Sequence, residues 1–356
     1  MKKLLALLFS AGSIVAVAQD LAPAAPYYNN FNWNLVGTPL KNALATKITT
    51  THTKELTYGQ LWDALPLTDR PAHSGALVTL FYGWEAGTDN DITNDLYRDA
   101  DNHGGNQGQW NREHVFLQSK GNPVIGQSGA GSDAHHLRPA DVDRNGARGD
   151  KKFVSIASTS IPSYAASNQT WYPGDEWKGD VARILMYLYL RYGNQCLPTE
   201  MVATSATADD VNMPMLLLQW NAEDPVSPLE DRRNSVMNSS NFYAQGNRNP
   251  FIDNPYLATL IWGGPVAQNR WPFMSAQDFA WEQSVTVYPI PSYNEPLNVT
   301  TTLDLDKISI YNAAGQLIYE INNPSHEQQI HNLPKGFYLM KIDKGTDSTV
   351  KKILVN

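Results

Sequence analysis

The chain has a single cysteine, Cys196, among 356 residues. No disulfide can form within it, so the fold must stand on its core. That thiol follows an apolar, helix-like run and reads as buried; a nucleophile would need histidine and cationic neighbours. Charge is sparse as well, at 17% of residues against 42% apolar, which excludes a disordered chain and suits an ordinary core. Positive charge is the scarcer sign: 27 Lys and Arg face 35 Asp and Glu, for a net charge of −8. A protein that coats nucleic acid is normally basic, so the balance counts against coating, though an enzyme needs only a local cationic groove. Beyond residue 18 no apolar run approaches the roughly 20 residues of a membrane span. Two catalytic or binding patterns also fail. Gly126-Gln127-Ser128-Gly129-Ala130 breaks the nucleophile-elbow pattern at its last position. Asp89, Asp91 and Asp95 lack the glycine and terminal glutamate of a calcium loop.

What is present begins with an address. Lys2 and Lys3 precede an apolar run that ends in Ala16-Val17-Ala18, a small-x-small pattern. Residues 1–18 therefore read as a cleaved export signal, and the mature chain would start near Gln19. Length suggests one large domain with a smaller companion, or two domains. In the first, residues 56–65 look like a short amphipathic helix and residues 75–82 like a buried strand. Asp180 is placed to cap a helix in which Val181, Ile184, Leu185 and Leu188 repeat at helical spacing. Ser227-Pro228-Leu229-Glu230 is a capping box with proline at the first helical position, and the body ends near Gly264.

Two polar clusters stand out: Trp110-Asn111-Arg112-Glu113-His114, and Asp133-Ala134-His135-His136-Leu137-Arg138-Pro139 followed by Asp143-Arg144-Asn145-Gly146. They gather a carboxylate, imidazoles, a carboxamide and guanidiniums. One such group can bind a hard cation, one can take a proton from water, and cations can hold phosphate oxygens. Residues 110–152 carry seven Lys and Arg against five acids, a mildly positive stretch in an acidic chain. Each residue also has a plainer reading. At least one of His135 and His136 is structural, since neighbours in a strand diverge. Arg112 is as apt to order Glu113 as to touch phosphate, and Asn247, Arg248 and Asn249 suit a buried turn before Pro250. Most of the tryptophans and tyrosines belong to the core rather than to a base-stacking platform.

From about residue 285 the chain changes character. Lys307-Ile308-Ser309-Ile310-Tyr311, Gln316-Leu317-Ile318-Tyr319 and the run from Gly336 to Ile342 alternate in polarity. Asn312-Ala313-Ala314-Gly315 is a turn between two of them, and a β-sandwich of about 70 residues fits.

These motifs, with Asp224-Pro225-Val226-Ser227 and the run from Gln245 to Asp253, resemble the endonuclease I family of secreted, largely non-specific nucleases. Tyr288-Pro289-Ile290-Pro291, Ile310 to Gly315 and Leu333-Pro334-Lys335-Gly336-Phe337-Tyr338 resemble the type A sorting domain of type IX secretion, with Pro-Ile-Pro where Pro-Asn-Pro is usual. The resemblance implies an α+β fold: a ββα-metal (His-Me finger) core in a mixed α/β domain over 19–270, a linker at 271–284 and a small β-sandwich at 285–356. It implies His114 as general base, Glu113 and Asn145 as metal ligands, and Mg²⁺ as the cation, with Mn²⁺ or Ca²⁺ as alternatives. Strand neighbours diverge, so Glu113 and His114 would serve one site only if the backbone bends or the metal lies at an edge. Arg138, Arg148 and Arg248 are open for the transition-state cation, with Arg138 and Arg248 set beside His114 as catalytic. Arg112, Arg148 and Asn247 would contact substrate, and His135 and His136 would support the site from behind. The expected enzyme is a monomeric endonuclease, secreted or held on the cell surface, with no membrane span. It cuts DNA, and RNA as a second substrate, to leave 5′-phosphates, and engages the type IX machinery. Two rivals are a zinc hydrolase using His114, His135 and His136, and a non-catalytic surface binding protein on a nuclease scaffold.

Overall fold

The computed structural model describes residues 22–156, 162–271, 285–293, 295–345 and 347–356. The expected export signal, and the expected linker past residue 271, lie outside the described residues. The chain divides into two compact units, Met1–Trp271 and Pro272–Asn356.

The first unit is a mixed α/β body. Helix α1 (Gly37–Thr51) buries Leu40, Leu44 and Ile48, one stripe at a four-residue interval. Helix α2 (Leu61–Thr68) starts later than its apolar pattern suggested. Thr57 and Gln60 exchange hydrogen bonds between backbone N–H and side-chain oxygen, so residues before Leu61 form a turn. Strand β1 (Leu77–Thr79) pairs antiparallel with β2 (Tyr97–Asp99). It is shorter than the run 75–82, but Leu80 and Phe81 stay buried and donate their backbone N–H groups to Leu96 and Pro139. Strands β3 (Trp110–His114) and β4 (Leu137–Asp141) form an antiparallel pair, and helix α3 (Val142–Arg148) follows directly. Short strands β5 (Lys152–Phe153), β6 (Tyr164–Ala165) and β7 (Thr170–Tyr172) make a small sheet in the order β5-β7-β6.

The remaining helices are α4 (Lys178–Tyr192), α5 (Met215–Glu223), α6 (Pro228–Met237), α7 (Pro250–Asp253) and α8 (Tyr256–Trp262). Every residue of α4 from 179 to 190 is buried, so this helix is enclosed on all sides. Its start corrects the expectation for Asp180. The helix begins at Lys178, its first turn has no cap from its own flank, and Asp180 faces Arg138 instead. The carboxylate of Asp224, distant in sequence, accepts from the Gly179 N–H at 2.8 Å and supplies that cap. The box at Ser227 forms as its sequence indicated, with Ser227 and Glu230 each bonding the other's backbone N–H. No helix among the described residues is long and apolar enough to cross a membrane.

A chain of buried ion pairs crosses this unit. Arg233 meets Asp69, Asp69 meets Arg138 at 2.8 Å, and Arg138 meets Asp180 at 2.6 Å. Asp180 lies 3.7 Å from Arg183, which pairs with Glu230 at 2.5 Å. The signs alternate, so each charge that loses water gains opposite neighbours.

The second unit is strand-rich. Strands β8 (Val285–Tyr288), β9 (Leu297–Thr301) and β12 (Glu327–Ile330) form one antiparallel sheet in the order β12-β9-β8. Strands β10 (Lys307–Asn312), β11 (Leu317–Asn322), β13 (Gly336–Lys344) and β14 (Asp347–Val355) form another, in the order β11-β10-β13-β14. Val285, Leu297 and Val299 from the first join Ile308, Ile310, Met340, Ile342 and Ile353 from the second in one core. Between β10 and β11 the Asn312 side chain accepts from the N–H groups of Ala314 and Gln316, and Gly315 takes φ 77, which glycine allows without strain.

Candidate active site

The two polar clusters of the sequence are brought together as the β3–β4 pair and α3. Register sets Glu113 opposite Arg138 and His114 opposite Leu137, regular to the end of β3. Asp141 closes β4 and caps α3, accepting from the N–H groups of Asp143 and Arg144 at 2.9 Å, so helix follows strand without a loop. Arg98 holds Asp141 from the other side at 2.8 Å. This tight junction turns Asn145 back toward β3, where its side-chain amide donates to Asn111 Oδ1 at 2.7 Å.

Alternation along β3 sorts the side chains. Glu113 is buried; Tyr82 donates to its Oε1 at 3.0 Å and Arg148 Nε lies 3.5 Å away. Burial raises the Glu113 carboxyl above its ordinary range, while Arg148 and Tyr82 pull it down. Tyr82 itself has φ 71, a left-handed conformation that is strained for a tyrosine. His114 leaves the strand toward other partners. Its ring stacks on Tyr58 with centroids 5.7 Å apart and meets His136 edge-on at 5.4 Å. It hydrogen-bonds the Gly131 backbone, and Nε2 is buried with no partner. Burial, then His136 and the nearby guanidiniums, push its pKa down to about 3. The ring is therefore neutral near pH 7, with Nε2 as an unshared lone pair. A side chain at Gly131 would collide with the Gly126 carbonyl, so glycine is required there to keep that loop against His114.

The other expected site residues take different places. Arg138 is fully buried and divides its guanidinium between Asp69 and Asp180. Arg248 grips Asp253, and Asn247 bonds the Tyr187 hydroxyl at 2.7 Å and accepts from His135 Nε2 on its carbonyl at 3.1 Å. His135 belongs to that same buried group, with Asp133 and Gln245. His136 spends both ring nitrogens on backbone, at Phe116 N–H and the Ala130 carbonyl. Both imidazoles are pushed down to about 4 by burial. Arg112 is sandwiched between the Tyr58 and Trp62 rings and donates to the Tyr58 carbonyl. Arg148 stands nearest Glu113 and also donates to the backbone carbonyls of His114 at 3.4 Å and Val115 at 2.9 Å. Cys196 is buried and its thiol is pushed up to about 12, chiefly by burial, so it is no nucleophile at neutral pH.

Among the described residues no group of three or more His, Cys, Asp and Glu side chains is placed to hold a metal ion. That gives the zinc alternative built on His114, His135 and His136 no support: His136 spends both ring nitrogens on backbone, and His135 Nε2 is held by the Asn247 carbonyl. A hard cation needs less. Glu113 Oε2 and Asn145 Oδ1 accept no hydrogen bond among the described residues, and Asn111 shares the strand face of Glu113. Oxygen donors of this kind fit Mg²⁺, which keeps most of its waters. Asn111 and Tyr82 were missed in the sequence. The two-residue step from Glu113 would have indicated Asn111; nothing local indicates Tyr82, 31 residues away.

Comparison with known proteins identifies the family. The Endonuclease I family matches residues 36–256, and a secretion system C-terminal sorting domain matches residues 286–356. An extracellular ribonuclease of Bacillus amyloliquefaciens is 39% identical over 253 residues, 69% of this chain and 81% of that protein. One from Bacillus subtilis (strain 168) is 37% identical over 263 residues, 70% of this chain and 84% of its own. A solved structure of PorZ, a surface component of the type-IX secretion system of Porphyromonas gingivalis, covers 23% of this chain and 12% of its own at 18% identity; its TM-score of 0.20 is too slight to bear on the fold. With a family match across most of its length and a sorting domain behind it, the chain belongs to the endonuclease I family: it is a nuclease, secreted or displayed on the cell surface by the type IX route.

Proposed function

We propose that this nuclease is a metal-dependent endonuclease that hydrolyses phosphodiester bonds of RNA and DNA with little sequence preference, leaving 5′-phosphates. The observation that carries the reading is the ββα unit itself: β3 ends at His114, so in this reading the cation lies at the strand's end, reached by Glu113 from one face and His114 from the other, with Asn145 folded back to the same strand. The relatives named as ribonucleases support RNA as a substrate. The unit is the arrangement expected of a His-Me finger, and the two C-terminal sheets sharing one core support the sandwich reading of the sorting domain.

In this reading His114 Nε2 takes the proton from the attacking water, since it is the free lone pair of a neutral ring. The Gly131 bond and the Tyr58 stack hold the ring's orientation. Glu113 and Asn145 would hold one divalent cation, Mg²⁺ by donor chemistry, with Mn²⁺ or Ca²⁺ as alternatives. Such a cation supplies charge stabilisation for the phosphate and the departing 3′ oxygen. Arg148 holds Glu113 in place and is the guanidinium we assign nearest the reaction. Arg138 and Arg248 are assigned to the fold, because buried carboxylates already pair with their charge.

The test is cleavage of plasmid DNA and of RNA by the purified protein, with Mg²⁺ or with EDTA. Cleavage that needs the cation, and that falls sharply in a folded His114→Ala variant, is expected. Undiminished cleavage in EDTA would remove the metal, and undiminished cleavage by His114→Ala would remove the base.

A further inference from the structure

One residue beyond Tyr82 the chain opens a cavity of about 280 Å³, lined by Gly83, Trp84, Ser163, Glu176 and Trp177 among others. It is bound to the active site through covalent neighbours and hydrogen bonds. The Ser163 hydroxyl donates to the Tyr82 carbonyl at 2.7 Å, and Tyr82 in turn holds Glu113. Arg144, next to Asn145 in α3, places its guanidinium 4.4 Å from the centre of the Trp84 ring and donates to the Ser163 carbonyl. Trp84 is 39% exposed, although it is a large aromatic ring beside a nuclease site. Gly83 is required where it stands, because a Cβ there would meet the Asp95 carbonyl oxygen.

The residues lining this cavity include two carboxylates and no cation, and Arg144 meets it only at the Trp84 ring and the Ser163 carbonyl. Asp175 is occupied, since it accepts from the Tyr172 hydroxyl and from Lys178 at 3.3 Å. Glu176 is exposed and accepts no hydrogen bond among the described residues. A free carboxylate repels a phosphate, so the backbone of a nucleic acid does not belong here. A nucleobase does: it is uncharged, it stacks on an indole, and its edge carries N–H donors.

We propose that this cavity is a base-binding subsite of the nuclease, with Trp84 as its stacking surface, Glu176 as its acceptor and guanine as its favoured base. Guanine alone presents two adjacent donors, the ring N1–H and the exocyclic amino group, to match the two oxygens of a carboxylate. Adenine and cytosine offer one amino group flanked by an acceptor, and uracil flanks its single N–H with two carbonyls. The subsite makes cleavage mildly base-biased within a broadly tolerant enzyme. As a subsite it rests on the nuclease reading.

Titration calorimetry of the whole protein in EDTA, with GMP, AMP, CMP and UMP as probes, tests the site without turnover. GMP is expected to bind about tenfold more tightly than UMP. Glu176→Gln, which replaces one acceptor by a donor, should abolish that ratio. Trp84→Ala should weaken all four nucleotides about tenfold, the usual worth of one stacked base. Equal binding of the four by the wild type, or an unchanged ratio in Glu176→Gln, would overturn the proposal. Sequencing the 5′ ends cut from a mixed-sequence RNA separates it from the parent reading. Ends enriched for guanine at one subsite, and evened out in Glu176→Gln, support it. Efficient cleavage with no base enrichment overturns the subsite and leaves the nuclease intact. Guanine-selective binding in a protein that cuts nothing supports the base site and overturns the assigned chemistry.

Discussion

His114 and Arg138 stand on adjacent strands and call for opposite experimental signatures. Replacing His114 by alanine removes the proposed proton acceptor, so turnover should fall by about 10²–10⁴, while loss of the Gly131 bond and the Tyr58 stack should cost only about 1–2 kcal/mol of stability. Arg138→Ala leaves Asp69 and Asp180 buried without their shared cation and should cost about 3–5 kcal/mol in a denaturant titration. A stable Arg138→Ala protein with lost activity would move Arg138 back into the chemistry. Tyr82→Phe should cost about 1 kcal/mol through its lost bond to Glu113. The sequence distinguished poorly among these cations. Arg138, Arg148 and Arg248 look alike in one dimension; their roles differ because Asp69, Asp180 and Asp253 reach two of them only after folding.

Helix starts were legible where the cap is local and illegible where it is not. Ser227-Pro228-Leu229-Glu230 holds both halves of its box within four residues, and the helix begins there. The start of α4 depends on Asp224, 45 residues downstream, so Asp180 was assigned the capping role by proximity alone. The Asp224-to-Ser227 stretch thus serves two helices, with Asp224 on α4 and Ser227 on α6. Ser227→Ala should lower stability by about 1 kcal/mol, read as a fall in Tm, with nuclease activity per folded molecule unchanged.

For the whole molecule, acid acts through opposed groups. Burial holds His135 and His136 at about 4, below the usual imidazole value, so between pH 6.5 and 4 the unfolded chain takes up protons that the folded chain refuses. Their contribution is present above that window and lost as pH falls through it. Asp224 runs the other way: burial raises it to about 7, so the folded chain binds its proton first and gains stability as pH falls from 7. Asp224→Asn removes that gain. Its urea midpoint should therefore drop more steeply between pH 7 and pH 5 than the wild type's, by on the order of 2 kcal/mol. A parallel drop in both proteins would refute the assignment. Because the C-terminal unit has a core of its own, deleting 285–356 should leave an active nuclease that accumulates in the periplasm; normal surface delivery on cell fractionation would count against a sorting role.

Order along the chain was enough to reveal which chemical groups this protein owns, where the helix boxed by Ser227 and the strands at Lys307 and Gly336 begin, and that its last 70 or so residues form a unit of another kind. Those features follow from neighbours a few residues apart, whose side-chain directions are set by strand and helix periods. The pairing of charges was settled by folding. Attraction between ions depends on distance through space and on how much water is excluded, and Asp69, Arg138, Asp180, Arg183 and Glu230 acquire both only when α4 is enclosed by the rest of the body.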